Sequence, residues 1–251
     1  MNYIKRFLQN NFELNLVYRN VFNSKPMLID HIAHRTFAED KVATNYLKNF
    51  SGYFLKNDKY NFQKHNATAE WLDFGGNKFD NSYYNNLKLQ TNKIYGTPRV
   101  FISTYCGVYN DENLKNSNID LDLVNYHIKN KNEKISYDLY KNIKSYNQYL
   151  AWTLVFRNKI NHIGFEVDDI QDILQKVSNI LPINNPEYPI QVSEDGNLLQ
   201  FSTASALYPF KFKEGNYEIP KNFIEFVQRK NNREGFSEKN ANIVFDSTNG
   251  R

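Results

Sequence analysis

In the stretch at residues 27–37, MLIDHIAHRTF, His31 and Arg35 stand four positions apart. Side chains alternate across an extended strand, so His31, Ala33 and Arg35 share one face while Ile32 and His34 take the other. A neutral imidazole is a metal ligand, and a guanidinium grips a carboxylate through two parallel hydrogen bonds. The pair points to a site for an organic acid beside a metal ion. Two later apolar runs add to it. NHIGFEV, at 161–167, carries His162, and FIEFVQR, at 223–229, carries Glu225 between Ile224 and Phe226. A carboxylate in such a run needs a cation opposite it. Two histidines and one carboxylate from three strands would form a facial triad, with metal positions left for a substrate and for oxygen. The same residues admit plainer roles: strand histidines with satisfied hydrogen bonds, and Glu225 in a structural ion pair with Arg35 or Arg229.

The elements that must position these groups can be read in order. Apolar residues at helical spacing predict a helix over about 3–18, and the strand of His31 follows Pro26. Val42, Tyr46, Leu47 and Phe50 predict a helix over about 38–54. A half-exposed strand is expected over 64–74, opened by His65 as a surface histidine and closed by the Gly75-Gly76 turn. Residues 80–93 read as loop, and RVFISTYCG reads as a strand with one face on the core. A polar stretch at about 111–157 reads as a helical insertion, with a helix over 137–149 and His127 as a solvated histidine. The return of LIDHIAH as KINHIGF hints at an old duplication that would set both imidazoles near a shared axis. The clearest helix spans 168–181, where Ile170, Ile173, Leu174, Val177 and Leu181 form an apolar stripe. QVSEDGNLLQFST is a hairpin across 194–197, Gly215 marks a turn before EIPKNFIEFVQRK, and a terminal helix after Phe236 could act as a lid.

Composition bounds the class. At 251 residues the chain can build one substantial core, and no break demands a second domain, so one domain over 1–251 is expected. Hydrophobic residues make up 41% and aromatics 16%, enough for an aromatic-rich core. The 31 basic and 27 acidic residues leave a net charge of only +4, scattered along the chain, which argues against nucleic-acid binding. The single cysteine, Cys106, rules out an internal disulfide and reads as a small buried strand residue, not a catalytic thiol. Charges and amides interrupt the first apolar residues, MNYIKRFLQNNFELN, so neither a signal peptide nor a membrane span is expected, and the location expected is cytoplasmic. Oligomeric state is not set by any of these features.

The fragments IDHIAHRTF, INHIGFEVDDI, LLQFST and FIEFVQR, with GFSEKNANIVFDST near the end, resemble the 2-oxoadipate dioxygenase/decarboxylase family, also called hydroxyglutarate synthase. That family in turn is similar to the 4-hydroxyphenylpyruvate dioxygenases, whose last domain has a comparable order of signatures. The likeness runs from Met27 to Thr248, and the order of the motifs tells more than any one of them. It implies an α+β vicinal oxygen chelate fold, glyoxalase/dioxygenase-like, in which βαβββ modules form a cupped mixed sheet around a non-haem Fe(II). The two modules would be halves at about 27–110 and 158–230. The resemblance also implies that His31, His162 and Glu225 are the iron ligands, that Arg35 clamps the distal carboxylate of a 2-oxo diacid, and that Gln200 lies near the bound substrate. The partners it implies are a small 2-oxo acid and O2, with no nucleic acid and no membrane. The expected reaction converts 2-oxoadipate and O2 to 2-hydroxyglutarate and CO2, in lysine catabolism. Two alternatives remain: oxygen-independent isomerase or lyase chemistry on the same fold and metal, as in glyoxalases, and a metal-free small-molecule binding protein.

Overall fold

Two short apolar strands stand at the middle of an eight-stranded mixed sheet. β1 (Leu28–Phe37) and β5 (Ile160–Glu166) pair antiparallel. Each has a parallel partner on its other side, β4 (Arg99–Tyr105) for β1 and β10 (Phe223–Arg229) for β5. Antiparallel strands continue outward: β3 (Ala67–Phe74) and β2 (Tyr53–Phe62) beyond β4, then β7 (Leu198–Ser202) and β6 (Gln191–Val192) beyond β10. The order β2-β3-β4-β1-β5-β10-β7-β6 therefore repeats one pattern about the β1–β5 junction. In each half the first strand lies parallel to the last, and such a pair needs a crossover connection. In the second half the crossover is α6 (Ile170–Ser178). In the first half, residues 39–52, most of the stretch expected to be helical at about 38–54, lie outside the described residues. β8 (Pro209–Lys211) and β9 (Glu218–Pro220) form a separate ribbon. The computed structural model describes residues 12–23, 28–38, 53–74, 99–130, 133, 135–156, 160–183, 185–203, 209–211, 218–220, 223–231, 233 and 235–248.

Alternation along the strands sorts the core into two layers. On one face Ile32, Ile163, Phe165, Ile224 and Phe226 are buried with Val17 of α1 (Phe12–Asn20) and with Ile170, Ile173 and Val177 of α6. Asp169 caps α6, its carboxylate accepting the N–H groups of Gln171 and Asp172, an arrangement that contributes about 1 kcal/mol. On the other face Ala33, Trp71, Phe101 and Tyr105 pack with the helices of the insertion and with the last helix. These are α2 (Glu112–Lys115), α3 (Leu121–Lys129), α4 (Tyr137–Tyr146), α5 (Gln148–Phe156) and α7 (Glu238–Thr248). This second layer lies over the face that carries His31 and Arg35.

Several sequence expectations are corrected. The helix expected to reach residue 54 gives way to a strand from Tyr53, because β2 is an edge strand whose polar run NDK and register shift conceal its alternation. His65 is buried in a 3-10 turn before β3, which starts at Ala67, and is not a surface residue. Cys106 lies just beyond β4 and is half-buried. The helix expected over 137–149 stops at Tyr146, because the Asn147 side chain accepts the Leu150 N–H at 3.0 Å and so starts α5. Nearly all of α5 is apolar, and Tyr149, Leu150, Ala151, Trp152 and Thr153 are fully buried. Among the described residues, no helix is long and apolar enough to cross a membrane. The expected loop at 80–93, the Gly75-Gly76 and Gly215 turns and the first residues of the opening helix lie outside the described residues.

Candidate metal centre

His31, Gly164 and Glu225 lie directly opposite one another across β1, β5 and β10, and Ser202 extends the row onto β7. One step along, Ala33, His162 and Phe223 are aligned in the same way. Gly164 is what lets the three polar side chains meet. A Cβ at that position would lie 2.4 Å from His31 Cε1 and 2.5 Å from Nδ1, so the imidazole occupies the space that any other residue would fill. The short run NHIGF thus places a ligand and, two residues on, the gap that admits a second ligand from the neighbouring strand.

Each histidine follows a break in strand register. Between Ile29 and His31 the extra residue is Asp30, and where Ala33 and His34 meet His162 and Ile160 it is Asn161. A bulge turns two successive side chains toward one face, and both of these residues engage the histidine that follows them. Asp30 Oδ2 lies 2.8 Å from His31 Nδ1, and Asn161 Oδ1 lies 3.0 Å from His162 Nδ1. An acceptor on Nδ1 makes that nitrogen the protonated one, which leaves the Nε2 lone pair for a metal.

Both Nε2 atoms turn to the same point. They are 3.1 Å apart, and Glu225 Oε2 lies 3.1 Å from His162 Nε2 and 3.7 Å from His31 Nε2. Ligand atoms at about 2.0–2.2 Å from one metal and at right angles to each other would stand about 3 Å apart, so the donor set fits one face of a metal's coordination sphere. All three residues are buried, and among the described residues they form the one such cluster of potential metal ligands. Packing holds the rings: His162 stacks on Phe223 with centroids 4.6 Å apart, and His31 meets Phe236 edge-on at 5.6 Å.

The electrostatics also favour a cation between these groups. Burial opposes charge on Glu225, but hydrogen bonds from His162 and His31 and their charge bring its carboxyl down to about 2. Burial likewise works against charge on His31, yet the hydrogen bonds to Asp30 and Glu225 raise it to about 9. His162 is pushed down to about 4, first by burial and then by the His31 and Arg35 charges, despite Glu225 beside it. Asp30 is held well below the ordinary carboxylate range: burial would raise it, but the Arg229 guanidinium and the His31 hydrogen bond prevail.

Arg35 lies two residues beyond Ala33 on the same face, as alternation predicts, and is buried. Its guanidinium sits over the Tyr149 ring at 4.8 Å and near Trp152 at 5.5 Å, both from α5, and its Nη2 donates to Asn161 Oδ1 at 3.2 Å. Of the two arginines considered as partners of Glu225, Arg229 instead binds both oxygens of Asp30, at 2.6 and 3.0 Å. Gln200 donates its Nε2 to Glu225 Oε1 at 2.6 Å. His34, on the opposite face, is half-buried. Sequence reasoning did not single out Asp30, Asn161, Gly164, Tyr149 or Trp152. The signal for the first two was present in the dipeptides Asp-His and Asn-His, but the bulges that turn them inward belong to strand pairing.

The 2-oxoadipate dioxygenase/decarboxylase family model matches residues 111–238, a span that includes His162 and Glu225. The chloroplastic 2-oxoadipate dioxygenase/decarboxylase of Arabidopsis thaliana is 30% identical over 126 residues, 40% of this chain but only 34% of that protein, so the match spans about a third of the curated relative. The hydroxyglutarate synthase of Oryza sativa, solved in complex with 2-oxoadipate, superposes with a TM-score of 0.72 at 25% identity over 99% of this chain and 90% of that one. A glyoxalase superfamily protein from Ralstonia eutropha shares the fold, with a TM-score of 0.60 at 14% identity over 93% of this chain and 83% of its own. The mixed sheet with its added helices is thus the α+β vicinal oxygen chelate fold. With more than half of its 251 residues matched by the family model, the chain belongs to the 2-oxoadipate dioxygenase/decarboxylase family.

Proposed function

We propose that this protein is an Fe(II)-dependent dioxygenase that decarboxylates a 2-oxo diacid, with 2-oxoadipate as the substrate. The observation that carries the reading is the convergence of His31 Nε2, His162 Nε2 and Glu225 Oε2 on one point. Two histidines and one carboxylate with open positions beside them are the donor set of non-haem iron(II) oxygenases. The family to which the chain belongs supports the reaction, and 2-oxoadipate bound to the rice relative supports the substrate.

His31, His162 and Glu225 would hold Fe(II), and the chemistry it would supply there is Lewis-acid polarisation of a 2-oxo acid and electron transfer to O2. The protein's own groups do the rest. Asp30 and Asn161 keep the Nδ1 protons in place and so keep both Nε2 atoms available. Arg35, set against Tyr149 and Trp152, binds the distal carboxylate and orients the acid. Phe236, Trp71 and Phe101 wall the His31 side with apolar surface and exclude water there. Overall, 2-oxoadipate and O2 become 2-hydroxyglutarate and CO2, with one oxygen atom entering the new carboxylate and the other the hydroxyl.

The test is an oxygen electrode with CO2 trapping on protein reconstituted with Fe(II). Addition of 2-oxoadipate should consume O2 and release CO2 in equal amounts, and Glu225→Ala should abolish both. Full activity in Glu225→Ala would overturn the assignment. Turnover of a substrate without O2 on Zn²⁺ or Ni²⁺ would point to isomerase or lyase chemistry instead.

A further inference from the structure

We infer that Asn240, on the last helix, is a positioning residue for the metal-binding carboxylate: acting through Gln200, it holds Glu225 with Oε1 engaged and Oε2 turned to the histidines. The inference rests on the reading of His31, His162 and Glu225 as metal ligands. It adds a part played by a helix that contributes no ligand.

Three contacts form a chain. Asn240 Nδ2 donates to Gln200 Oε1 at 3.2 Å, Gln200 Nε2 donates to Glu225 Oε1 at 2.6 Å, and Glu225 Oε2 stands 3.1 Å from His162 Nε2. Asn240 is fully buried, and Gln200 and Glu225 are nearly so. An amide presents either its oxygen or its nitrogen to a neighbour, so each amide orientation has to be set by a partner whose role is fixed. Both ends of this chain supply one. At the far end Asn240 Nδ2 also reaches the Leu198 carbonyl oxygen at 3.5 Å, which can only accept. At the near end an ionised carboxylate can only accept. Reversing either amide would set oxygen against oxygen, so the polarity runs one way from the Leu198 carbonyl to Glu225.

Asn240 is itself anchored. Its N–H donates to Ser237 Oγ at 3.1 Å in the first turn of α7, and the Ser237 hydroxyl meets Glu194 Oε2 at 3.2 Å. The segment just before α7 is tied to the same centre from the other side. Arg229 Nη1 donates to the Gly235 carbonyl at 2.7 Å, and Phe236 lies against His31. The beginning of the last helix is therefore fastened near one histidine by Phe236 and near the carboxylate by Asn240. With Oε1 already accepting a hydrogen bond, Glu225 has Oε2 as the oxygen turned to the histidines and would hold a metal through it.

The decisive variant is Asn240→Asp, nearly equal in size but with acceptors only. Gln200 then turns its NH2 toward the new carboxylate and its carbonyl toward Glu225, and Glu225 loses its donor. Co²⁺ serves as the probe, read by its visible absorption spectrum and by its Kd on substrate-free protein. The expected result is a Kd about 10–100-fold weaker, the range for lost outer hydrogen bonds to metal ligands, with a changed Co²⁺ spectrum. Gln200→Met removes the same donor by a second route and should give a matching spectrum. Asn240→Ala, combined with Gln200→Met, should weaken Co²⁺ no further than Gln200→Met alone, because Asn240 acts through Gln200. A folded Asn240→Asp protein with the wild-type Kd and spectrum overturns the inference, and so does full additivity in the double variant. Wild-type protein that binds no Co²⁺ overturns the metal reading itself, a different result from either of these.

Discussion

Asp30 and Asn161 hold equivalent places on the two central strands. Each is the extra residue before a histidine, each offers an oxygen to that histidine's Nδ1, at 2.8 and 3.0 Å, and each also accepts from an arginine. They differ by one charge. The carboxylate of Asp30 pairs with Arg229, whose Nη1 also bonds the carbonyls of Arg233 and Gly235 just before the last helix. The neutral amide of Asn161 faces Arg35. The half with the acid has a buried ion pair, and the half with the amide has the arginine assigned to substrate.

Exchanging that charge separates the two roles. Asn161→Asp sets a carboxylate beside Arg35 that competes with the acid group of the substrate. Steady-state O2 uptake should show KM for 2-oxoadipate raised about tenfold or more, with kcat changed less, and Arg35→Ala should raise KM further. Unchanged KM in both variants would remove Arg35 from substrate binding. Asp30→Asn instead strips a buried arginine of its partner, and thermal or urea unfolding should show a loss of about 3–5 kcal/mol.

Gly164 carries a steric prediction. Gly164→Ala drives a methyl group into the His31 ring and displaces Nδ1 from Asp30. Metal affinity, measured by Co²⁺ titration, should fall at least about tenfold. The fold should lose only about 1–3 kcal/mol, the usual cost of overpacking. An unchanged Kd would mean that His31 is not a ligand.

The helical layer depends on one buried carboxylate remote from the metal centre. Asp111 accepts from Tyr105 Oη at 2.9 Å and Asn147 Nδ2 at 2.5 Å, and its other oxygen accepts the N–H groups of Asn113 and Leu114 at the start of α2. Asp111→Ala removes a cap and takes away the acceptor of the buried Tyr105 hydroxyl and the shorter of the two bonds made by Asn147 Nδ2, which keeps the His65 carbonyl at 3.4 Å, so urea unfolding should show a loss of about 2–4 kcal/mol. A loss below about 0.5 kcal/mol would show that this network does not hold the layer to the sheet.

Cys106 gives the pH-dependent test. Burial pushes its thiol above the ordinary value, more than the hydrogen bonds to Thr68 bring it down. A raised value keeps the unreactive thiol form to higher pH, and alkylation proceeds through the thiolate. Iodoacetamide labelling followed by mass spectrometry should be slow near neutral pH and still be climbing with pH where an unburied cysteine in a reference peptide has levelled off. A plateau at or below that of the reference peptide would contradict the burial.

Much of this protein was legible in local pattern. Period-two alternation put His31 and Arg35 on one face and Ile32 on the other, and the apolar stripe of residues 170–177 marked the helix that covers the opposite layer. Ligand types, and the order of the fragments that carry them, were written in short runs of chain, because alternation and residue chemistry are local properties. The strand at 53–62 and the burial of His65 were not legible, since an edge strand with a polar centre lacks the alternating signal. Convergence was decided elsewhere. His31 and His162 meet only because β1 and β5, about 130 residues apart, pair in a register that sets Gly164 beneath the His31 ring and turns Asp30 and Asn161 inward. Register between distant strands depends on how the whole sheet packs, and so does the contact from Asn240 to the carboxylate.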